Sequence, residues 1–457
     1  MSGFTGGGIK NSCHILIKPM SEQNYSPKAK ESWPAPSVHH AISAQVTLPG
    51  SKSLTNRELV LSALASSPTH LKKPLDSRDS QLMIEALKKL GTTINRDKYG
   101  DLVIIPPTTD ISLSEVSIDC GLAGTVMRFV PPMAALSNTS VTFDGDEAAR
   151  RRPMKTTIDS LRELGVEVED QGTGSLPFTL LGTGSIEGGE ITIDASSSSQ
   201  FVSGLLLAAP RYTNGLTLHH AGEHLPSLPH IEMTIDCLKA RGVKATQPDA
   251  LTWVVEPGPI SGGEISIEPD LSNAGPFIAA ALVLGGSVTI KNWPKETTQV
   301  GKHFEELLTQ MGATVSRNGL DLSFAGNGSI KGIEVDLGIG GELAPVIIAL
   351  AVLADGPSTI TGIAHLRGHE TDRLAALTAE INAIGGNATE LPDGIQINPV
   401  ANLHGTTWHT YEDHRMATAA AIIGLRVPGI VIEDISVVTK TMPEFVSLWN
   451  NMLEQTA

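Results

Sequence analysis

The sequence predicts an α/β protein built from six similar units, and three observations carry that prediction. A helix-like segment that ends in glycine and runs into a short strand recurs, with Gly91, Gly165, Gly242, Gly312 and Gly385 spaced by 74, 77, 70 and 73 residues. A second helix type starts polar and then turns almost wholly apolar. Its starts lie near Ser53, Gly124, Gln200, Asn273, Glu342 and His414, at intervals of 71, 76, 73, 69 and 72 residues. Finally, 457 residues with 40% hydrophobic and 18% charged side chains are enough for two or three sizeable cores. A fixed period of this length is the signature of one supersecondary unit used repeatedly. Six units in two groups of three give two domains.

Residues 1–31 are rich in Gly, Ser, Lys and Pro without apolar periodicity, and read as a flexible extension lacking the apolar core of a signal peptide. Met20 is an alternative start. The stretch Pro49 to Arg57 then reads as a tight Pro-Gly turn opening a helix with Leu54, Leu61 and Leu64 on its buried side. Lys52 and Ser53 fall in its first turn, and Arg57, four residues after Ser53, shares that face. Free N–H groups and partial positive charge at a helix N-terminus, joined by a hydroxyl, an ammonium and a guanidinium, suit a phosphate or carboxylate. The stretch is not a Walker loop, because Ser51 precedes Lys52 and the upstream glycine spacing is missing.

The marker glycines fit helix ends in the left-handed conformation. A last helix, Pro443 to about Glu454, lacks the glycine-strand tail. The second helix type is apolar on all sides and so buried, and a buried helix with a polar start opens onto something specific. Strand-like segments follow at Val141, Leu216, Ser287, Thr359 and Ile430. Pro131 and Pro132 should kink or shorten the second such helix. Helix N-termini from both groups converging on a shared cleft would attract anions.

The polar starts supply the chemistry. Gly121 and Gly124 allow close backbone approach ahead of Arg128. Arg150, Arg151 and Arg152 precede another helix, as a solvated charge cluster or an anion clamp. Ser196 to Ser199 with Gln200 form a run of donors, and Pro226 to His230 is rigid. Glu342 opens a buried helix; His369, Glu370 and Arg373 lie at helical spacing, a general acid/base arrangement or a surface ion pair. Asp413, His414 and Arg415 lead the sixth buried helix, and Lys440 follows. No Cys/His spacing supports a metal site.

The net charge of −16 and an aromatic content of 4% argue against a general nucleic-acid binder. Cys13, Cys120 and Cys237 show no paired spacing, so no disulfide framework follows and a reducing cytosol fits. The longest apolar run, about Val346 to Ala354, is too short to span a membrane.

Six motifs, in order, resemble the 5-enolpyruvylshikimate-3-phosphate (EPSP) synthase family. They lie at Pro49–Arg57, Ala123–Arg128, Ser198–Phe201, Glu370–Leu374, Asp413–Met416 and Lys440–Pro443. The resemblance runs from about residue 37 to the C-terminus. It implies two inside-out α/β domains of three repeats each, with chain crossings near Gly50 and Pro269. One domain would be 51–268, and the other 32–50 joined to 269–457.

The resemblance also implies transfer of the enolpyruvyl group of phosphoenolpyruvate to the 5-hydroxyl of shikimate 3-phosphate through a tetrahedral intermediate, in chorismate and aromatic amino-acid biosynthesis. No metal or organic cofactor is implied, and a cytoplasmic monomer is expected. By motif position, Glu342 is the hydroxyl base, Glu370 the acid at the vinyl carbon, and Lys52 balances charge between the substrates. Lys52, Ser53, Arg57, Ser198, Ser199, Gln200, Ser227, Glu342 and His369 would bind shikimate 3-phosphate. Lys52, Gly124, Gln200, Arg373, Arg415 and Lys440 would bind phosphoenolpyruvate.

Departures from the family pattern are Leu122 for the familiar Asn, Glu342 for a frequent Asp, and His365 and His369 for Asn and Lys. Neutral histidines at the last two positions would bring a pH dependence near neutrality. The phosphoenolpyruvate-binding Arg aligns with Ala148, and its role is assigned to Arg150. Two other readings compete: an enolpyruvyl transferase acting on UDP-N-acetylglucosamine, and a non-catalytic anion-binding repeat protein. The first has Lys-Asn where Lys52 and Ser53 stand, and the carboxylates Glu342 and Glu370 argue against the second.

Overall fold

The computed structural model of the chain describes residues 30–107 and 115–456, and the proposed extension therefore lies, but for its last two residues, outside the described residues. The apolar pattern forms two hydrophobic clusters. One gathers side chains between Leu59 and Ile267, the other those between Ala35 and Leu48 with those between Leu271 and Leu453. We call the two parts of the chain the first and second halves.

Each half is filled by its three buried helices, of which Lys52–Ala63 is polar as well as buried, holding Thr55, Asn56, Arg57, Glu58 and Ser62 inside. Lys52–Ala63, Gly124–Ala134 and Gln200–Ala208 pack on one another in the first half; Gly275–Leu284, Ala344–Val352 and His414–Gly424 do so in the second. The last of these has every residue from Met416 to Gly424 buried except the half-buried Thr418. Sheets surround the helices and turn one face outward, as the alternating burial of Ile42–Val46 shows. The layers are thus inverted relative to a barrel with strands inside.

The repeated unit is a parallel strand pair joined through the buried helix, plus an antiparallel hairpin. In the second unit Val116–Asp119 pairs in parallel with Ser140–Asp144, with Val116 opposite Val141, and the intervening chain forms Gly124–Ala134. Phe178–Leu181 adds antiparallel to Ser140–Asp144, and Glu167–Glu169 closes the edge. The five marker glycines all have positive φ, between 80° and 109°. Each reverses the chain from an amphipathic helix into an edge strand without the steric cost of a Cβ.

Two sheets are completed by strands distant in sequence. Ile42–Val46 pairs in parallel with Gly286–Ile290 of the second half, and Gly263–Ser266 pairs in parallel with Thr69–Lys72 of the first. Where the two halves join, the chain segments run side by side, bridging Gly50 to Pro269, with Ser51 N–H donating to Glu268 O and Asp270 N–H to Pro49 O. Gly50 therefore sits in an extended bridge rather than the expected turn. A Cβ there would fall 2.2 Å from Lys73 O, so only glycine lets the strands close.

Pro131 and Pro132 do not shorten their helix, which spans 11 residues across both. Pro132 removes the N–H that would bond Arg128 O. That face instead receives Gly204 of the neighbouring helix, whose Cβ position would lie 2.2 Å from Arg128 O. The two helices approach closely over the carbonyl that Pro132 deprives of its helical N–H.

The first half also buries an ion pair. Arg241 donates to Glu58 Oε2 from Nε at 2.9 Å and from a terminal nitrogen at 2.6 Å, and further to Ser62 Oγ, Thr69 Oγ1 and Ser261 O. These bonds tie the helix Lys52–Ala63 to the end of Pro229–Ala240.

Candidate active site

Both halves contribute to one cleft, lined by Lys52, Ser53, Arg57, Gly124, Ser198, Ser199, Gln200, Ser227, Glu342, His369, Glu370, Arg373, Arg415 and Lys440. These are all the residues singled out from the sequence except Arg150. Most sit at the N-terminal end of a buried helix, where the unit repeat puts its polar start.

Ser51 caps the first helix by accepting from Leu54 N–H. Lys52 follows, its Nζ 3.5 Å from Asp79 and its backbone N–H on Asp270 Oδ2. Arg57 lies one turn in and is 1% exposed. It donates to Ser53 O, Thr234 Oγ1 and His230 O, and burial lowers its pKa to about 10. Gln200 opens the third helix with Oε1 buried and without a partner among the described residues; Ser198 Oγ accepts from its N–H.

Glu342 lies in the 3₁₀ turn Gly341–Leu343, just before the buried helix. Ser272 Oγ donates to Oε1 and His230 Nε2 to Oε2, each at 2.6 Å. Burial opposes ionisation, but His230, Arg415 and Ser272 outweigh it and hold the carboxyl far below its usual range.

Glu370 is held as firmly. Lys440 Nζ is 2.8 Å from Oε1, His414 Nδ1 is 3.0 Å from Oε2, and an Arg373 nitrogen is 3.9 Å away. Burial raises its pKa, but the two cations and the His414 contact lower it well below the ordinary value. Arg373 is fixed by Asp413, bonding Oδ2 at 2.7 Å and Oδ1 at 3.1 Å. Asp413 also caps the sixth buried helix by accepting from Arg415 N–H. One buried carboxylate thereby fixes the Arg373 guanidinium and the backbone at Arg415, whose own guanidinium bonds Ser272 O. The spacing of Glu370 and Arg373 marks a buried cluster, not a solvated helix face.

His365 and His369 do not behave as expected from the sequence. Burial and then Arg373 push His365 down to about 4 and His369 well below its ordinary value, so both are neutral around pH 7. A titration near neutrality at these two positions is not what this packing gives.

Arg150 is the other correction. Its guanidinium makes a two-pronged pair with Asp144, at 2.9 and 2.7 Å, on the surface, with half the side chain exposed. Arg152 lines the cleft instead, bonding Leu122 O from one terminal nitrogen. A Cβ on Gly124 would meet the other at 2.9 Å. Arg152 Nε and Arg128 Nε are buried without a partner among the described residues. The short helix Glu147–Arg150 ends in tight turns, Arg151 N–H donating to Ala148 O and Arg152 N–H to Ala149 O, so Arg150 and Arg152 leave the chain in different directions. The run of three arginines hid which one faces inward.

His230, Ser272 and Asp79 also line the cleft, and sequence reasoning gave them no role there. His230 follows Ser227 by three residues in a proline-braced segment, but that spacing does not name the carboxylate it meets.

Fold and site together define a two-part α/β enzyme for anionic substrates with two ionised carboxylates among many cations. A sequence model of the family described as EPSP synthase (3-phosphoshikimate 1-carboxyvinyltransferase) matches residues 37–449. A 3-phosphoshikimate 1-carboxyvinyltransferase of Kocuria rhizophila is 52% identical over 442 residues, covering 95% of this chain and 99% of its own. Two structures of EPSP synthase from Acinetobacter baumannii share the fold, with TM-scores of 0.75 and 0.74 at 24% and 23% identity. Each comparison covers 92% of this chain and 98% of the other. The chain belongs to the EPSP synthase family. It is a transferase with the two-domain inside-out α/β fold of that family.

Proposed function

We propose that the cleft joins phosphoenolpyruvate to the 5-hydroxyl of shikimate 3-phosphate and releases phosphate, a step of aromatic amino-acid biosynthesis. The observation that carries the reading is that Glu342, bonded by Ser272 and His230, and Glu370, paired with Lys440 and His414, both line a cleft crowded with Lys and Arg. A simple anion binder would gain nothing from carboxylates there.

Glu342 takes the hydroxyl proton as the oxygen attacks C2 of phosphoenolpyruvate. Glu370 delivers a proton to C3, which completes addition and leaves a tetrahedral intermediate. Removal of a C3 proton and departure of phosphate restore the double bond in the product. No step calls for a metal or an organic cofactor. Ser53, Arg57, Ser198, Ser199, Gln200, Ser227 and His369 hold shikimate 3-phosphate beside Glu342. Gly124, Gln200, Arg373, Arg415 and Lys440 hold phosphoenolpyruvate beside Glu370, with Arg152 in the role first assigned to Arg150. Lys52 balances charge where the substrates meet.

Glu370 must gain a proton before it can give one. Phosphoenolpyruvate brings its own negative charge to Lys440 and Arg373, and so frees Glu370 to take a proton up. The halves 51–268 and 32–50 with 269–457 act as the two domains of a monomer that works in the cytosol. Among the described residues no helix is long and apolar enough to cross a membrane.

The test is phosphate release from phosphoenolpyruvate with shikimate 3-phosphate or UDP-N-acetylglucosamine as acceptor. Release with the first alone is expected. Release with the second alone transfers the chain to the other acceptor, and release with neither leaves a binding protein.

A further inference from the structure

His230 and Glu342 come from opposite halves. His230 is the second residue of the helix Pro229–Ala240, whose core lies in the first half, while Glu342 precedes a helix that fills the second. Nε2 and Oε2 are 2.6 Å apart, and neither side chain is more than 18% exposed. At that distance from an ionised carboxylate, Nε2 carries the proton, since two facing lone pairs would repel. Ser227 N–H donates to Gly338 O nearby, so the same two chain segments also meet through their backbones.

The imidazole is held from behind. Its backbone carbonyl accepts from an Arg57 nitrogen at 2.8 Å, from Thr234 Oγ1 at 3.0 Å and from Ser203 Oγ at 3.3 Å. Its helix begins with Pro229, which fixes φ at the preceding position. These bonds fix the backbone from which the imidazole reaches Glu342.

We propose that His230 is a positioning residue for the base: its Nε2 proton, given to Oε2, keeps Glu342 ionised and turned toward the acceptor hydroxyl. The proposal rests on the assignment of Glu342 as that base. A carboxylate has about four lone-pair sites. Ser272 and His230 take one on each oxygen, fixing the plane of the group and leaving one on each for the substrate. Ser272 belongs to the second half and stays with Glu342 whatever the halves do. His230 arrives from the other side, so the base is fully held only where the halves meet.

The groups that set the charge of Glu342 come from several elements. His230 faces it from Pro229–Ala240, Ser272 from the loop before Gly275–Leu284, and Arg415 from His414–Gly424. Arg57, Arg373 and His365 act on it from farther away. Among these His230 has the largest effect. Its loss lets the carboxyl protonate at higher pH.

The test compares kcat–pH profiles and KM values of Glu342→Gln, His230→Ala and His230→Gln in the full chain. Glu342→Gln should abolish turnover. His230→Ala should lower kcat roughly 10- to 100-fold, the range for one charge-assisted hydrogen bond. Its shikimate 3-phosphate KM should stay within about threefold and the acid limb of kcat should move up by about one pH unit, as expected for one such contact. His230→Gln keeps an N–H donor at the same reach and should restore most of kcat and return the limb toward the parent. An inactive Glu342→Gln beside a His230→Ala with unchanged kcat and acid limb overturns the role of His230 alone. So does a His230→Gln as impaired as His230→Ala, which would make His230 a matter of shape. An active Glu342→Gln overturns the base assignment and the proposal with it.

Discussion

Lys440 Nζ and Glu370 Oε1 lie 2.8 Å apart, and the pair is almost fully buried between the two halves' helix starts. The ammonium also donates to Leu122 O of the first half, although Lys440 itself belongs to the second. It holds as an anion the carboxyl proposed to donate a proton.

The first prediction concerns that proton. Glu370 ionises far below its ordinary range because Lys440, His414 and Arg373 outweigh burial. Added negative charge from phosphoenolpyruvate raises its pKa, so binding takes up protons. Binding should therefore weaken as pH rises, by linkage. Calorimetry in buffers of different ionisation enthalpy should show net proton uptake in the parent and less in Glu370→Gln. Equal uptake in both would locate the proton elsewhere.

Folding stability follows the same group with the opposite reference. The folded pKa of Glu370 is depressed, so its contribution is fully present above the unfolded value of about 4.3 and is lost as pH falls below it. The acid side of a melting-temperature profile should be shallower in Glu370→Gln.

Lys52→Ala should reduce kcat by roughly 10²- to 10³-fold, as for loss of one preorganised charge partner. Its side chain is partly exposed and makes one long contact to Asp79, so the fold should persist. Circular dichroism and melting temperature close to the parent, beside lost turnover, is the expected pair of results.

Two arginines two residues apart should separate cleanly. Arg152→Ala should raise the phosphoenolpyruvate KM about tenfold or more, the scale of a charge-assisted hydrogen bond. Arg150→Ala should leave it within about twofold, because a half-exposed pair with Asp144 is worth little. Steady-state kinetics of both variants decides, and the reverse order would restore the assignment made from the sequence.

The buried pair Glu58 and Arg241 should matter for stability and not for turnover. Glu58→Leu leaves an uncompensated guanidinium with no exposed side-chain surface, at a cost of about 3–5 kcal/mol. Glu58→Leu with Arg241→Met should recover much of it. Urea midpoints of the parent, single and double variants measure the difference.

The repeat made most of the fold legible. Helices begin at Lys52, Gly124, Gln200, Gly275 and His414, within two residues of the expected starts. Glu342 opens a 3₁₀ turn two residues ahead of its helix, as Pro345 at the second helical position suits a tight entry. Local chemistry set these points: a polar group, then a run that is largely apolar, least so in Lys52–Ala63. What one unit cannot reveal is what another places against it. Gly204 over Arg128 O answers the two prolines, and Pro269 opposite Gly50 makes a bridge of an apparent turn. In the site, residues with an unambiguous helix position fell where expected. Arg150 and His230 were obscured because a run of like charges has no inner face of its own, and an imidazole gains a role only from the carboxylate opposite.

The split of the second half along the chain also orders events during synthesis. The first half has all its strands once Gly263–Ser266 has been made. The second half needs Ile42–Val46, made long before, and its partner Gly286–Ile290 appears only 240 residues later. At about 5–20 residues per second a ribosome takes roughly 12–48 s to cover that distance. For that time a short strand of alternating burial waits unpaired while the first half is made. A pause placed between the two strands would lengthen the wait, and the yield of folded protein would report it.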